Sequence, residues 1–96
     1  MYILIVDYIK PLEEVAPHQP AHGEWVAKYV DAGVLLFGGP KKSKLGGALV
    51  AKSIDRKKLM EILAEDSFVK AGVAEYRIVD IDCKRTTPEL EMLKLA

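Results

Sequence analysis

Two short apolar runs, VLLF (Val34 to Phe37) and ALVA (Ala48 to Ala51), are separated by GGPKKSKLGG. No other feature narrows the fold as much. Each run is of strand length and is bounded by glycine or proline, so the pair reads as two strands at the middle of the chain joined by that loop. Trp25, Val26, Tyr29 and Val30 recur at helical spacing on one side of the pair, and Leu59, Met60, Ile62 and Leu63 share one side of a second helical segment beyond it. Further out, Tyr2 to Tyr8 is β-branched and aromatic, and Val73 to Ile81 alternates. The order is therefore βαββαβ.

Local signals set the expected boundaries. After a loop with three prolines, Pro20 stands where a first helical residue would, because its missing N–H costs nothing there, and Gly33 marks the stop of a helix over Pro20 to Ala32. Ser53 or Asp55 would N-cap the second helix, which should end near Asp66. Thr87-Pro88 could cap a short tail helix carrying Leu90, Leu93 and Leu95. This order predicts an α+β fold of the ferredoxin-like type, both helices covering one face of a four-stranded antiparallel sheet, in one domain over residues 1–96. Several strands look apolar on both faces. A second copy would cover the remaining face, so a homodimer is expected, with higher assembly left open.

Fourteen basic and fourteen acidic side chains cancel, so no global field would hold the chain on nucleic acid or on an anionic membrane. Lys41, Lys42 and Lys44 lack phosphate-loop spacing and interleaved aromatics, and read as a solvated loop. Cys83 is the single cysteine and can form no intramolecular disulfide. The apolar amino terminus is too short to span a bilayer and lacks a leader pattern, so a soluble, cytoplasmic protein is expected.

Both histidines fall in PHQPAHGEW, Pro17 to Trp25. Four positions apart they could share a metal on one helix face, but a proline biases the residues before it away from helical angles, which starts the helix after His18. No cysteine is near and Glu24 is the only close carboxylate, so no metal is expected. His18 then reads as a loop bystander. His22 reads either as a solvated first-turn residue or as a catalytic base, and a base needs an orienting carboxylate. Asp31, nine residues along the same helix, points the opposite way. In βαββαβ the helices run antiparallel, so the start of the first meets the end of the second, where Asp66 lies. Asp66 is equally readable as a turn carboxylate capping its own backbone. Tyr8, at the end of the first strand, could reach the same corner. Backbone N–H groups of a Gly38-Gly39 turn are candidate donors to an enolate oxygen, because glycine lets a ligand approach the main chain.

PAHGEWVAKYVDAGVLLFGGP, DSFVKAGVAEYRIV and the βαββαβ order together resemble the YCII-related (YciI-like) proteins over nearly the whole chain. The resemblance implies a dimeric α+β barrel akin to muconolactone isomerases. It also implies a His-Asp dyad mapping onto His22 and Asp66, and a pocket lined by the backbone of Gly38, Gly39 and Pro40. The chemistry implied is cofactor-independent proton transfer on a small molecule, an isomerisation or a dehydrochlorination of a lactone or an activated enol. A non-catalytic small-ligand-binding module is the alternative. The chain departs from the family pattern at Gln19, where the family has arginine, and at Ser67, where it has proline. The first departure removes a cation that would bind an acidic substrate group.

Overall fold

The computed structural model describes residues 1–96. Strand β1, Tyr2–Tyr8, has hydrogen-bonded neighbours on both edges and contains neither glycine nor proline. It buries Tyr2, Leu4 and Val6 on one face and turns Ile3, Ile5 and Asp7 to the other. Strands β2 (Leu35–Pro40), β3 (Gly46–Ala51) and β4 (Ala74–Asp80) complete an antiparallel sheet in the order β2-β3-β1-β4. This is the expected ferredoxin-like arrangement. β3 begins at Gly46, whose φ of +148° suits glycine and whose missing Cβ would strike the Val6 carbonyl. No other residue type lets the two strands meet there.

Helix α2 (Gln19–Asp31) and helix α3 (Arg56–Ala64) lie on the face of the sheet that carries Tyr2, Leu4, Leu49 and Ala51. α3 buries Leu59, Ile62 and Leu63, one stripe at helical spacing. Met60, expected on that stripe, is instead about half exposed, because one residue of rotation carries it off the buried line. Trp25 of α2 is buried against the stripe, and its indole Nε1 donates to the Ile62 carbonyl at 3.0 Å. That bond, with Lys28 Nζ donating to Glu65 at 3.2 Å, fixes the two helices side by side. Gly33, at φ +74°, stops α2 where the sequence places the stop.

Other boundaries differ. The three-proline segment is helical: α1 (Leu12–Val15) and a 3-10 turn at Ala16–His18 lead directly into α2. Pro17 and Pro20 sit in first-turn positions whose N–H groups need no helical partner, so neither breaks the path, and Gln19 stays helical although a proline follows it. His18 is thus the last residue of a turn and is not in a loop. α3 stops at Ala64, and a separate turn, α4 (Ser67–Lys70), follows. Asp55 makes no side-chain cap bond, while Ser53 accepts from the amino-terminal nitrogen at 2.7 Å. Gly38, Gly39 and Pro40 belong to β2 rather than to a turn. The tail forms 3-10 turns over Pro88–Leu95, kinked at Leu90. Lys41 is not simply solvated: its Nζ donates to Asp7 Oδ1 at 2.6 Å, and Arg77 Nε donates to Asp7 Oδ2 at 2.6 Å. The bond from Arg77, then that from Lys41, holds the Asp7 carboxyl well below the usual carboxylate range. No helix is long and apolar enough to cross a membrane.

Candidate functional site

The corner where α2 begins and α3 ends holds the chain's one fully buried charged side chain, Asp66. It is the N-cap of α4, and its Oδ1 accepts from the Phe68 N–H at 3.1 Å. The same Oδ1 lies 2.7 Å from His22 Nδ1, and Oδ2 accepts from the Tyr76 hydroxyl at 2.6 Å. Both readings of Asp66 left open by the sequence, backbone cap and histidine partner, therefore describe the same atom.

The Phe68 N–H and the Tyr76 hydroxyl both donate to this carboxylate. An ionised carboxyl has no proton to give, so with Asp66 in that form the shared hydrogen sits on Nδ1. In the neutral ring of that tautomer, Nε2 of His22 is left as an acceptor. It has no protein partner and is not sealed from solvent, since the only buried unpartnered side-chain oxygen or nitrogen is Thr86 Oγ1. Burial first, and the bond to Asp66 second, push Tyr76 well above the ordinary phenol range, so it remains a neutral donor. The imidazole is further held by stacking on the buried Phe68 ring, centroids 4.1 Å apart and planes 13° from parallel. Ser67 ties the turn below: its Oγ donates to the His18 carbonyl at 2.9 Å, a bond a proline in that place could not make.

His22 opens onto a cavity of about 350 Å³ between α2 and the sheet, a size at the lower end of small-molecule sites. Gln19, His22, Gly23 and Val26 form its helical wall, at the i, i+3, i+4, i+7 spacing of one face. Glycine at position 23 costs the helix roughly 1 kcal/mol relative to alanine. A Cβ there would meet nothing within 4 Å, so the missing side chain leaves room rather than relieving a clash. The sheet side of the cavity includes Gly38, Gly39, Pro40 and Tyr8. Tyr8 places its ring edge on Phe68, centroids 5.5 Å apart, and its hydroxyl accepts from Gln19 Nε2 at 3.2 Å.

Gly38 and Gly39 line the cavity in a different way from the one expected. Lys41 N–H donates to the Gly46 carbonyl, so by the two-residue period of an antiparallel ladder the Gly39 N–H points to β3 as well, in the sheet plane. These glycines supply a flat wall, not a pair of free donors. His18 and His22 do not converge on one point with other ligand types, and nowhere do three His, Cys, Asp or Glu side chains gather. Sequence reasoning missed Tyr76 and Phe68. The period-two pattern of β4 puts Tyr76 on the helix side of the sheet, and DSF places Phe68 two residues after Asp66; these were the available signals.

Fold and cavity define a ferredoxin-like α+β domain with a histidine–carboxylate pair at a site sized for a small molecule. The model of the YCII-related domain matches residues 1–82, and the chain belongs to that family. Among solved structures it is similar to the 5-chloro-2-hydroxyhydroquinone dehydrochlorinase TftG from Burkholderia phenoliruptrix AC1100, determined in complex with 2,5-dihydroxybenzoquinone. The TM-score is 0.67 at 20% identity, covering 84% of this chain and 93% of that one, a likeness of fold. No curated protein matches the chain.

Proposed function

We propose that this protein is a cofactor-independent enzyme that moves a proton on a small ring compound, a lactone or an activated enol, with His22 as the base and Asp66 as its orienting partner. The observation that carries the reading is the buried setting of Asp66, which holds His22 through Nδ1 and leaves Nε2 toward a cavity with no charged side chain in its lining. Nε2 takes the proton as the substrate C–H bond breaks, and the electron pair moves into a conjugated carbonyl to give an enolate. Return of that proton from the imidazolium to a different carbon completes an isomerisation. In an elimination the electron pair instead expels chloride, and the proton passes to water. That a structural neighbour acts on a chlorinated hydroxyhydroquinone agrees with such chemistry.

The test is deuterium wash-in. Wild-type protein in D2O, given a panel of unsaturated lactones and cyclic enols, should exchange carbon-bound hydrogen in at least one of them faster than buffer, as read by proton NMR. A panel member that occupies the cavity yet exchanges no faster than in buffer would leave the binding-module reading in place.

The working unit of the reading is a homodimer. Ile3, Ile5 and Val50 are only half buried on the face away from the helices, and Phe37 and Val79 are at least half exposed there, an apolar stripe ended by the Asp7–Arg77 pair. A twofold partner laid on the same stripe removes it from water. Sedimentation equilibrium should therefore return twice the 10.6 kDa chain mass, and a monomer at high micromolar concentration would refute it.

A further inference from the structure

Glycine is the poorest helix former after proline, and Gly23 stands inside α2 between His22 and Glu24. Nothing in the fold asks for it. Gly23 is not among the glycines of positive φ, and no atom lies within 4 Å of where its Cβ would be, so neither a turn nor a close helix contact requires the missing side chain. The opposite wall differs. At Gly38 an added Cβ would strike Leu49 and the Ala48 carbonyl, so packing within the sheet fixes glycine there. Gly39 has open space, but the alternation of β2 sends its Cβ to the face away from the helices, as for its partner Ala48 and for Ile5 beyond. Among the cavity's glycines, Gly23 alone could carry a side chain toward the ligand space without displacing another group.

Its place on the helix gives that space a role. Around α2, at about 100° per residue, the order runs Trp25, His22, Val26, Gln19, Gly23. Trp25 is in the core, so Gly23 forms the outer margin of the helical wall and is itself exposed. β2, an edge strand of the sheet, exposes Gly38, Gly39 and Pro40 in the facing wall, and the cavity opens between that edge and Gly23. From this we infer that Gly23 is a specificity-determining residue: its missing side chain holds open the entrance beside His22 and sets the largest group a ligand can carry there. The inference rests on the reading of this cavity as a small-molecule site, and it assigns to Gly23 a loss of helix stability that the fold does not require.

The probes are 5-methyl- and 5-phenyl-2(3H)-furanone, which carry the same unsaturated lactone and differ only in the bulk attached to it. Each is titrated into ¹⁵N-labelled wild type, Gly23→Ala and Gly23→Leu, with the amides of Gly47 and Phe68 reporting occupancy and deuterium wash-in reporting chemistry. Alanine and leucine are both strong helix formers, so both variants should fold, and Gly23→Ala should melt roughly 3–6 °C above wild type. Against that gain, affinity for the phenyl lactone relative to the methyl lactone should fall in Gly23→Ala. In Gly23→Leu it should fall by at least about tenfold, the low end of what a single methylene decides in a pocket. An unchanged ratio in both variants, or exclusion of the phenyl lactone by the wild type itself, would overturn the role of Gly23; wash-in that persists beside it would leave the proposed function standing. A Gly23→Ala melt below wild type would show that packing requires the glycine, and would overturn the inference from the other side. Binding of the lactones without wash-in in the wild type would instead end the proposed chemistry, while the affinity ratio still decides the part played by Gly23. If neither lactone moved a cavity amide, the role of Gly23 would fall together with the cavity as a site for such compounds.

Discussion

His22→Asn is expected to slow the catalysed exchange by about 100- to 10,000-fold, the usual contribution of a placed general base, while leaving the melting temperature nearly unchanged. The choice of asparagine follows from the geometry. Asp66 is reached by Nδ1, the ring nitrogen nearer the backbone, and the asparagine amide nitrogen lies at a similar distance along the side chain. The substitution therefore preserves a donor to Asp66 Oδ1 and removes only the basic Nε2. Loss of the imidazole stack on Phe68 is a small penalty beside that, since the Phe68 ring remains buried by its other neighbours. The measurement is the wash-in rate beside a thermal melt. A large loss of rate with the melt intact assigns the effect to chemistry. An unchanged rate would remove His22 from catalysis, and a collapsed melt would show that the imidazole is structural.

The same corner shows how far sequence reasoning reaches. Periodicity gave the βαββαβ order because each segment commits to a period of two or 3.6 over enough residues to be read. The meeting of His22 and Asp66 was legible for a topological reason: antiparallel helices on one sheet face bring distant ends together whatever the side chains between them. Contacts that depend on the spacing of helix and sheet were not legible. Tyr76 could be placed on a strand, yet only the three-dimensional separation of β4 from α4 decides that its hydroxyl reaches Asp66. Prolines misled only before α2: Pro17 read as part of a loop although a first-turn proline loses no helical bond, whereas Pro20 stands in the first turn of α2 as expected. Gly38 and Gly39 read as a turn because glycine weakens strands in general. In β2 they are carried by pairing with β3, opposite Leu49 and Ala48.

Asp66→Ala should cost about 3 kcal/mol, a large part of the roughly 5–15 kcal/mol that holds a domain of this size together. Its carboxylate is wholly buried and is the sole recorded acceptor for two buried or half-buried donors, the Phe68 N–H and the Tyr76 hydroxyl, besides the His22 ring. Removing it strands the first two away from water, whereas the imidazole, 18% exposed, can turn toward solvent. For a chain of 96 residues the melting temperature should fall by more than about 10 °C. Asp66→Asn separates charge from hydrogen bonding: its Oδ1 still accepts from Phe68 and its amide can donate to the Tyr76 oxygen, so about 1 kcal/mol is the expected cost. Tyr76→Phe, which deletes one donor and strands no charge while Oδ1 keeps its two partners, should fall in the same range. Proton NMR of the imidazole provides the functional half of the comparison, because in the alanine variant no acceptor favours Nδ1–H and the hydrogen is free to move to Nε2, whereas the asparagine Oδ1 can still accept it. Equal melts for the alanine and asparagine variants would mean that the buried acceptor does not hold this corner, and the orientation of His22 would then have to come from its stack on Phe68 alone.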